Sequence, residues 1–187
     1  MDVEDLVKAA LAGGDARTAA TLTLRAYGRA LWRYAHSLLP PDDADDVYCA
    51  TAEQIWRSLP GFRFECPLRA WAFRLAWRAV GRFERDPYRR RARPLRTTEA
   101  SRIALSVGTS AGTVGARQDA FELLRGELSP RDQTLLYLRV TRALEWEEVA
   151  AVLSRGGKPV TSPALRKRYE RLKIRLVEQA RSKGFFG

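Results

Sequence analysis

The chain has 187 residues, 45% of them hydrophobic, and carries 33 Lys and Arg against 22 Asp and Glu for a formal net charge of +11. That length supports one domain or two small ones with a packed core, and the charge calls for an anionic partner: nucleic acid, a membrane surface or an acidic protein. Cys49, Cys66 and His36 are the only cysteines and histidine; with no CxxC or HxxxH spacing they exclude the usual zinc patterns, and no metal or cofactor is expected.

In chain order the patterns are helical, with no convincing alternating strand. The opening "MDVEDLVKAALAGGD" is acidic and lacks the apolar run of a signal peptide. No stretch approaches the roughly 18 apolar residues of a membrane span, so a cytoplasmic protein is expected. "VEDLVKAAL" reads as a short amphipathic helix stopped by Gly13 and Gly14. Asp15 is placed to cap a second helix, whose Leu24, Tyr27, Leu31, Tyr34 and Leu38 recur at helical spacing until Pro40 and Pro41 end it. A third helix opens on the aspartates at 42–46, residue types suited to a helix N-terminus. Val47, Ala50, Ile55 and Leu59 are its expected buried face, and Pro60–Gly61 its end. The loop "FRFEC" precedes Pro67 and a long helix over 68–85.

Residues 88–96, "YRRRARPLR", read as a basic tail, and 97–117, rich in Ser, Thr, Gly and Ala, as a flexible linker. Beyond it come "AFELLRGEL", then a helix begun by Ser129, Pro130 and Asp132, then "LEWEEVAAVL", the turn "SRGGKPVT", and a last helix begun by Ser162–Pro163. The expected architecture is all-α: two small helical domains, 1–96 and 118–187, joined by the linker at 97–117, the second domain a helix-turn-helix.

Charge is concentrated in two blocks. Residues 74–96 hold nine arginines against Glu84 and Asp86, and residues 166–183 hold eight basic residues against Glu170 and Glu178. On the helix over 68–85, Arg74, Arg78, Arg82 and Arg85 share an arc of roughly 80° beside an apolar arc of Leu68, Ala72, Leu75, Ala76, Ala79 and Phe83. Trp71 lies beside the arginines, and Trp77 falls outside both arcs. Aligned arginines can track phosphates, and aromatics among them can stack on an unpaired base; the alternative is a surface helix whose arginine stems cover the core.

In "TSPALRKRYERLKIRL", Leu165, Tyr169, Leu172 and Leu176 make one narrow stripe and the basic residues occupy the remainder. A membrane-surface helix needs a broader apolar face. A narrow stripe preceded by a helix and a glycine-containing turn fits the second helix of a helix-turn-helix, which enters the major groove. An enzyme is not indicated: there is no Gly-rich phosphate loop, no nucleophile with a histidine base and no metal cluster.

The parts resemble the extracytoplasmic-function sigma factors of bacterial RNA polymerase. "YGRALWRYAHSLLPPDDADDVYCATAEQIWRSLPGFR" and "LRAWAFRLAWRAV" look like the family's region two; "LSPRDQTLLYLRVTRALEWEEVAAVL" with "TSPALRKRYERLKIRL" looks like region four. The resemblance implies that Asp45, Asp46, Cys49, Glu53 and Trp56 bind the clamp helices of the polymerase largest subunit. It also implies that Arg63, Phe64, Glu65, Trp71, Arg74, Arg78 and Arg82 bind and melt the minus-ten element, and that Thr161, Ser162, Arg166, Lys167, Glu170 and Arg171 read the minus-thirty-five duplex. An anti-sigma factor is a further implied partner. The chain departs from the family pattern at Cys49 and Ala52, at Trp77–Arg78, at Arg82, and in the longer turn "SRGGKPV". The readings to be separated are a sigma factor, a stand-alone helix-turn-helix regulator, and a sigma-like adaptor that binds polymerase without melting DNA.

Overall fold

The structure, a computed structural model, describes residues 2–86, 127–154 and 159–182. Every regular element among them is helical. Helix α1 (Val3–Ala12) is anchored by the fully buried Val7 and closes at Gly13; Gly14 follows at φ +76, a conformation that a residue without Cβ reaches without strain. Helix α2 (Ala16–His36) is capped as expected: Asp15 accepts the Thr18 N–H at 2.9 Å. Helix α3 (Pro41–Ser58) begins with proline at its first position and Asp42 and Asp43 in its first turn, and passes into a 3-10 turn (Leu59–Gly61). It crosses α2 closely at Gly28, where an added Cβ would meet the Tyr48 hydroxyl at 3.0 Å. Helix α4 (Leu68–Arg85) completes the first unit.

The second unit contains α5 (Pro130–Leu136), α6 (Trp146–Leu153) and α7 (Ser162–Ser182). Ser129 caps α5 by accepting the Asp132 N–H. Beyond Leu136 the chain does not continue as α-helix but widens into a π-turn (Tyr137–Thr141), after which Ala143 turns the chain at φ 50. The buried Glu148 closes a capping box at the start of α6. The basic tail at 88–96, the linker at 97–117, most of the stretch "AFELLRGEL" and the centre of the turn before α7 lie outside the described residues.

The two units share one continuous core. Along the seam α4 packs on α6, and Tyr34, Phe73 and Tyr137 form an aromatic cluster with ring centroids 5.3–6.3 Å apart. The Tyr137 hydroxyl donates to the Ala30 carbonyl at 3.1 Å, and the Tyr34 and Thr134 hydroxyls are 3.0 Å apart. Trp77 lies on the same side of α4 as Phe73, whose ring meets Tyr137 of the second unit, and it is 4% exposed. One expectation for α3 is corrected. Ala50 is exposed, and the buried face is Ala44, Val47, Thr51 and Ile55. Thr51 enters the core because its hydroxyl is satisfied by the Val47 carbonyl at 2.7 Å.

Candidate nucleic-acid interface

Apart from Arg69, helix α4 is buried almost all round except for one stripe. Arg78, Arg82 and Arg85 are exposed, and Arg74 is half-buried, its Nε without a hydrogen-bond partner among the described residues. The loop before α4 alternates in exposure: Phe62 and Phe64 turn inward while Arg63 and Glu65 face solvent. Phe64 sits at φ 55, uncommon for a bulky residue and a mark of local strain. Phe62 lies between Phe64 (4.6 Å) and Trp71 (4.7 Å, stacked). Trp71 is thus 6% exposed and serves as a wall of the loop's aromatic cluster, not as an outward stacking platform. Burial pushes the neighbouring Cys66 thiol up.

On α7, Leu165 and Leu172 are buried, and Tyr169 and Leu176 partly so, as the narrow stripe required. Three sets of contacts fix how the helix is seated. The buried Asp132 accepts Arg168 Nε at 2.6 Å, Arg175 Nη2 at 3.3 Å and the Ser129 hydroxyl at 2.8 Å. Burial alone would raise the Asp132 carboxyl; the bonds from Arg168 and Ser129 outweigh it and hold the group below its ordinary value. Trp146 at the start of α6 meets Tyr169 edge-on at 5.6 Å and lies under Arg166 (5.8 Å) and Arg139 (4.4 Å). Ser154 accepts the Val160 N–H at 3.0 Å while donating to Ala150, clipping together the two ends of the long turn.

The basic residues of α7 therefore divide by role. Arg168 and Arg175 are tied inward to Asp132, and Lys173 pairs with Glu170 at 2.7 Å. Thr161, Arg166, Lys167, Glu170 and Arg171 face outward, with Ser162 half-buried at the helix start. One side of one helix thus presents donors from Arg and Lys with a carboxylate among them, a combination that can contact phosphates and base edges in a groove.

A second face lies on α3. Asp45, Asp46, Cys49, Glu53 and Trp56 are all exposed on one side of the helix, Trp56 at 49%. Asp45 is held from α2: Trp32 Nε1 donates to its Oδ1 at 2.8 Å, and His36 Nε2 lies 2.9 Å from the same oxygen. Those contacts, that with His36 first, keep the Asp45 carboxyl below its usual range. Trp32 and His36 were not anticipated in this surface. Their four-residue spacing on α2, with His36 close before Pro40, was the available signal, and their rings lie 3.9 Å apart. Among the described residues no three His, Cys, Asp or Glu side chains gather to hold a metal ion, and no helix is long and apolar enough to cross a membrane.

Comparison with known proteins gives these surfaces a context. The model of Sigma-70 region 2 matches residues 23–93, which include the α3 face, the aromatic loop and α4. The RNA polymerase sigma factor CnrH of Cupriavidus metallidurans is 30% identical over 171 residues, covering 85% of this chain and 87% of that protein. The solved structure of CnrH in complex with the cytosolic domain of CnrY shares the fold with a TM-score of 0.66, at 23% identity over 97% of this chain and 99% of that one.

Proposed function

This chain belongs to the extracytoplasmic-function sigma factors of RNA polymerase, and from that premise we propose a division of labour among its surfaces. The unit within 1–96 binds core polymerase through the α3 face, docking on the clamp helices of the largest subunit with Asp45, Asp46, Cys49, Glu53 and Trp56. Its loop and α4 stripe, Arg63 to Glu65 with Arg74, Arg78 and Arg82, capture the minus-ten strand and stabilise its separation from the duplex. The unit within 118–187 places α7 in the minus-thirty-five major groove, with Arg166, Lys167, Glu170 and Arg171 toward the bases and Thr161 and Ser162 toward the backbone. The protein performs no catalysis of its own and acts in the cytoplasm, where polymerase works.

The observation that carries this reading is the split of the α7 charges. Asp132 withdraws Arg168 and Arg175 to seat the helix, while Arg166, Lys167 and Arg171 remain on the outer side. A helix meant only to be solvated has no need of a buried carboxylate to set its orientation. A protein partner that holds the sigma factor inactive fits the same framework, since CnrH is solved in complex with the cytosolic domain of CnrY.

Purified chain, purified core enzyme and a library of duplex fragments test the proposal. Sequence-specific retention of fragments is expected only when both proteins are present. Specific retention by the chain alone would instead make it a stand-alone regulator. Core binding without any selected fragment would make it an adaptor.

A further inference from the structure

Helix α1 has no part in the surfaces above, yet its side chains reach the strained loop. Glu4 uses both carboxylate oxygens: Oε2 accepts the Leu68 N–H at 2.9 Å, and Oε1 lies 3.3 Å from Lys8 Nζ. Leu68 opens α4, whose N-cap residue is Pro67, and no side chain of the local sequence caps it. Glu4 supplies that missing acceptor from another helix, at the end of α4 where negative charge is favoured. Lys8, held by the second oxygen, stands 5.0 Å over the Phe64 ring, and Phe64 is the loop residue at φ 55. Helix α1 is itself fastened by Val7, 0% exposed.

We infer that Glu4 is a positioning residue for strand capture: through Leu68 it fixes the start of α4, and through Lys8 it holds Phe64 in its strained conformation. The inference rests on the strand-capturing role proposed above for this loop. A cap alone would need one oxygen; the second acts on the ring whose backbone is strained. A positive φ at a bulky residue persists only where its surroundings hold it. Here the Lys8 ammonium covers one side of the ring, and Phe62, backed by Trp71, packs against it. If that hold is released, Phe64 relaxes toward negative φ, and the flanking Arg63 and Glu65, now directed outward, rotate with it. The geometry offered to an unpaired base is then lost while α4 and its arginines remain.

The test uses holoenzyme assembled from core polymerase and the full chain, with the DNA strand that wild-type holoenzyme selects from a random single-stranded pool as probe. Glu4→Ala is expected to lower strand capture roughly tenfold or more and to flatten the preference at the base the loop receives. Glu4→Gln keeps an acceptor for Leu68 and so keeps wild-type thermal stability, but loses the charge that holds Lys8; it is expected to flatten that preference too, as is Lys8→Met. Affinity for core and for minus-thirty-five duplex stays unchanged in all three. Wild-type strand preference in Glu4→Gln and Lys8→Met would overturn the inference. So would a parallel loss of strand, duplex and core binding together with thermal stability. Wild-type holoenzyme that selects no strand at all would remove the underlying reading, a result distinct from either.

Discussion

Arg69 in α4 and Glu148 in α6 meet fork to fork across the seam: Nε and Nη2 of the arginine each lie 2.6 Å from a separate carboxylate oxygen. Glu148 is 6% exposed, and the pairing holds the Arg69 guanidinium above its ordinary pKa. The two residues belong to the units proposed to read different promoter elements. Elements named for positions ten and thirty-five lie roughly 25 base pairs, or about 85 Å, apart along a duplex. On that proposal, helices in side-chain contact cannot serve both, and the seam parts when the protein engages a promoter.

Arg69→Ala is accordingly expected to loosen the closed form. It leaves a buried carboxylate without its charged partner, a change that costs about 3 kcal/mol in a fully buried pair and less here because Arg69 is itself half exposed. A shift of the closed–open balance by about tenfold is expected, read as lower energy transfer between fluorophores on the two units. Glu148→Gln is the poorer variant, since Glu148 Oε2 also accepts the Glu145 N–H in the α6 capping box at 2.8 Å.

Acid should release α7 from its seat. The Asp132 carboxyl is depressed in the folded protein below its ordinary 3.8. Its contribution to stability is therefore fully present above about pH 4 and lost as pH falls through the lower folded-state value. Urea unfolding followed from pH 6 to pH 2.5 should show a decline in that window. Asp132→Asn should start less stable at pH 6 and show a shallower decline; an unchanged acid limb would mean that the carboxylate is not what the helix depends on.

Arg168 and Arg171 stand three positions apart on α7 and should fail differently. Arg171→Ala is expected to weaken binding to the minus-thirty-five duplex by about 1–3 kcal/mol and to relax the preference at one base pair. Arg168→Ala removes the shortest bond to Asp132 and is expected to lower thermal stability, by about 1.5–3 kcal/mol for a charged hydrogen bond. It should weaken all duplexes alike. Duplex-binding profiles and melting curves of the two variants separate the roles.

The α4 stripe makes a similar distinction. Arg78→Ala should weaken strand capture by the holoenzyme and reduce the slope of log affinity against log salt by roughly 0.7, the value for one contact to single-stranded DNA. Trp71→Ala should act through folding, because the ring is buried against Phe62; a loss of about 3–5 kcal/mol in stability is expected, with the salt slope unchanged in whatever protein remains folded.

Local chemistry explains which features could be read from the sequence. Asp15 and Ser129 are recognisable as caps because a short acceptor side chain before a helical run has few other uses, and both cap as expected. The stripe of Leu165 and Leu172 was likewise legible, since periodicity reports a buried face whatever covers it. Features that depend on the meeting of distant segments were not. Trp77 looked stranded because it lies beside Phe73 on the seam side of α4, which the helix's own apolar arc does not mark. The division of α7 arginines between Asp132 and solvent depends on a carboxylate on another helix. Ala50 and Thr51 exchanged places because alanine and threonine are weak signals of burial, and the Thr51 hydroxyl is satisfied inside its own helix. The π-turn at Tyr137–Thr141 has no pattern of its own in the sequence.

The central claim is that this chain, together with core polymerase, opens a promoter by holding one strand on α4 and its aromatic loop. Permanganate reactivity of unpaired thymines tests it most directly, on a duplex selected by the complex. Reactive thymines confined to the minus-ten element are expected with both proteins present, absent with either alone, and diminished in Arg74→Ala. Stable, specific binding of chain and core to that duplex with no thymine becoming reactive would contradict the account.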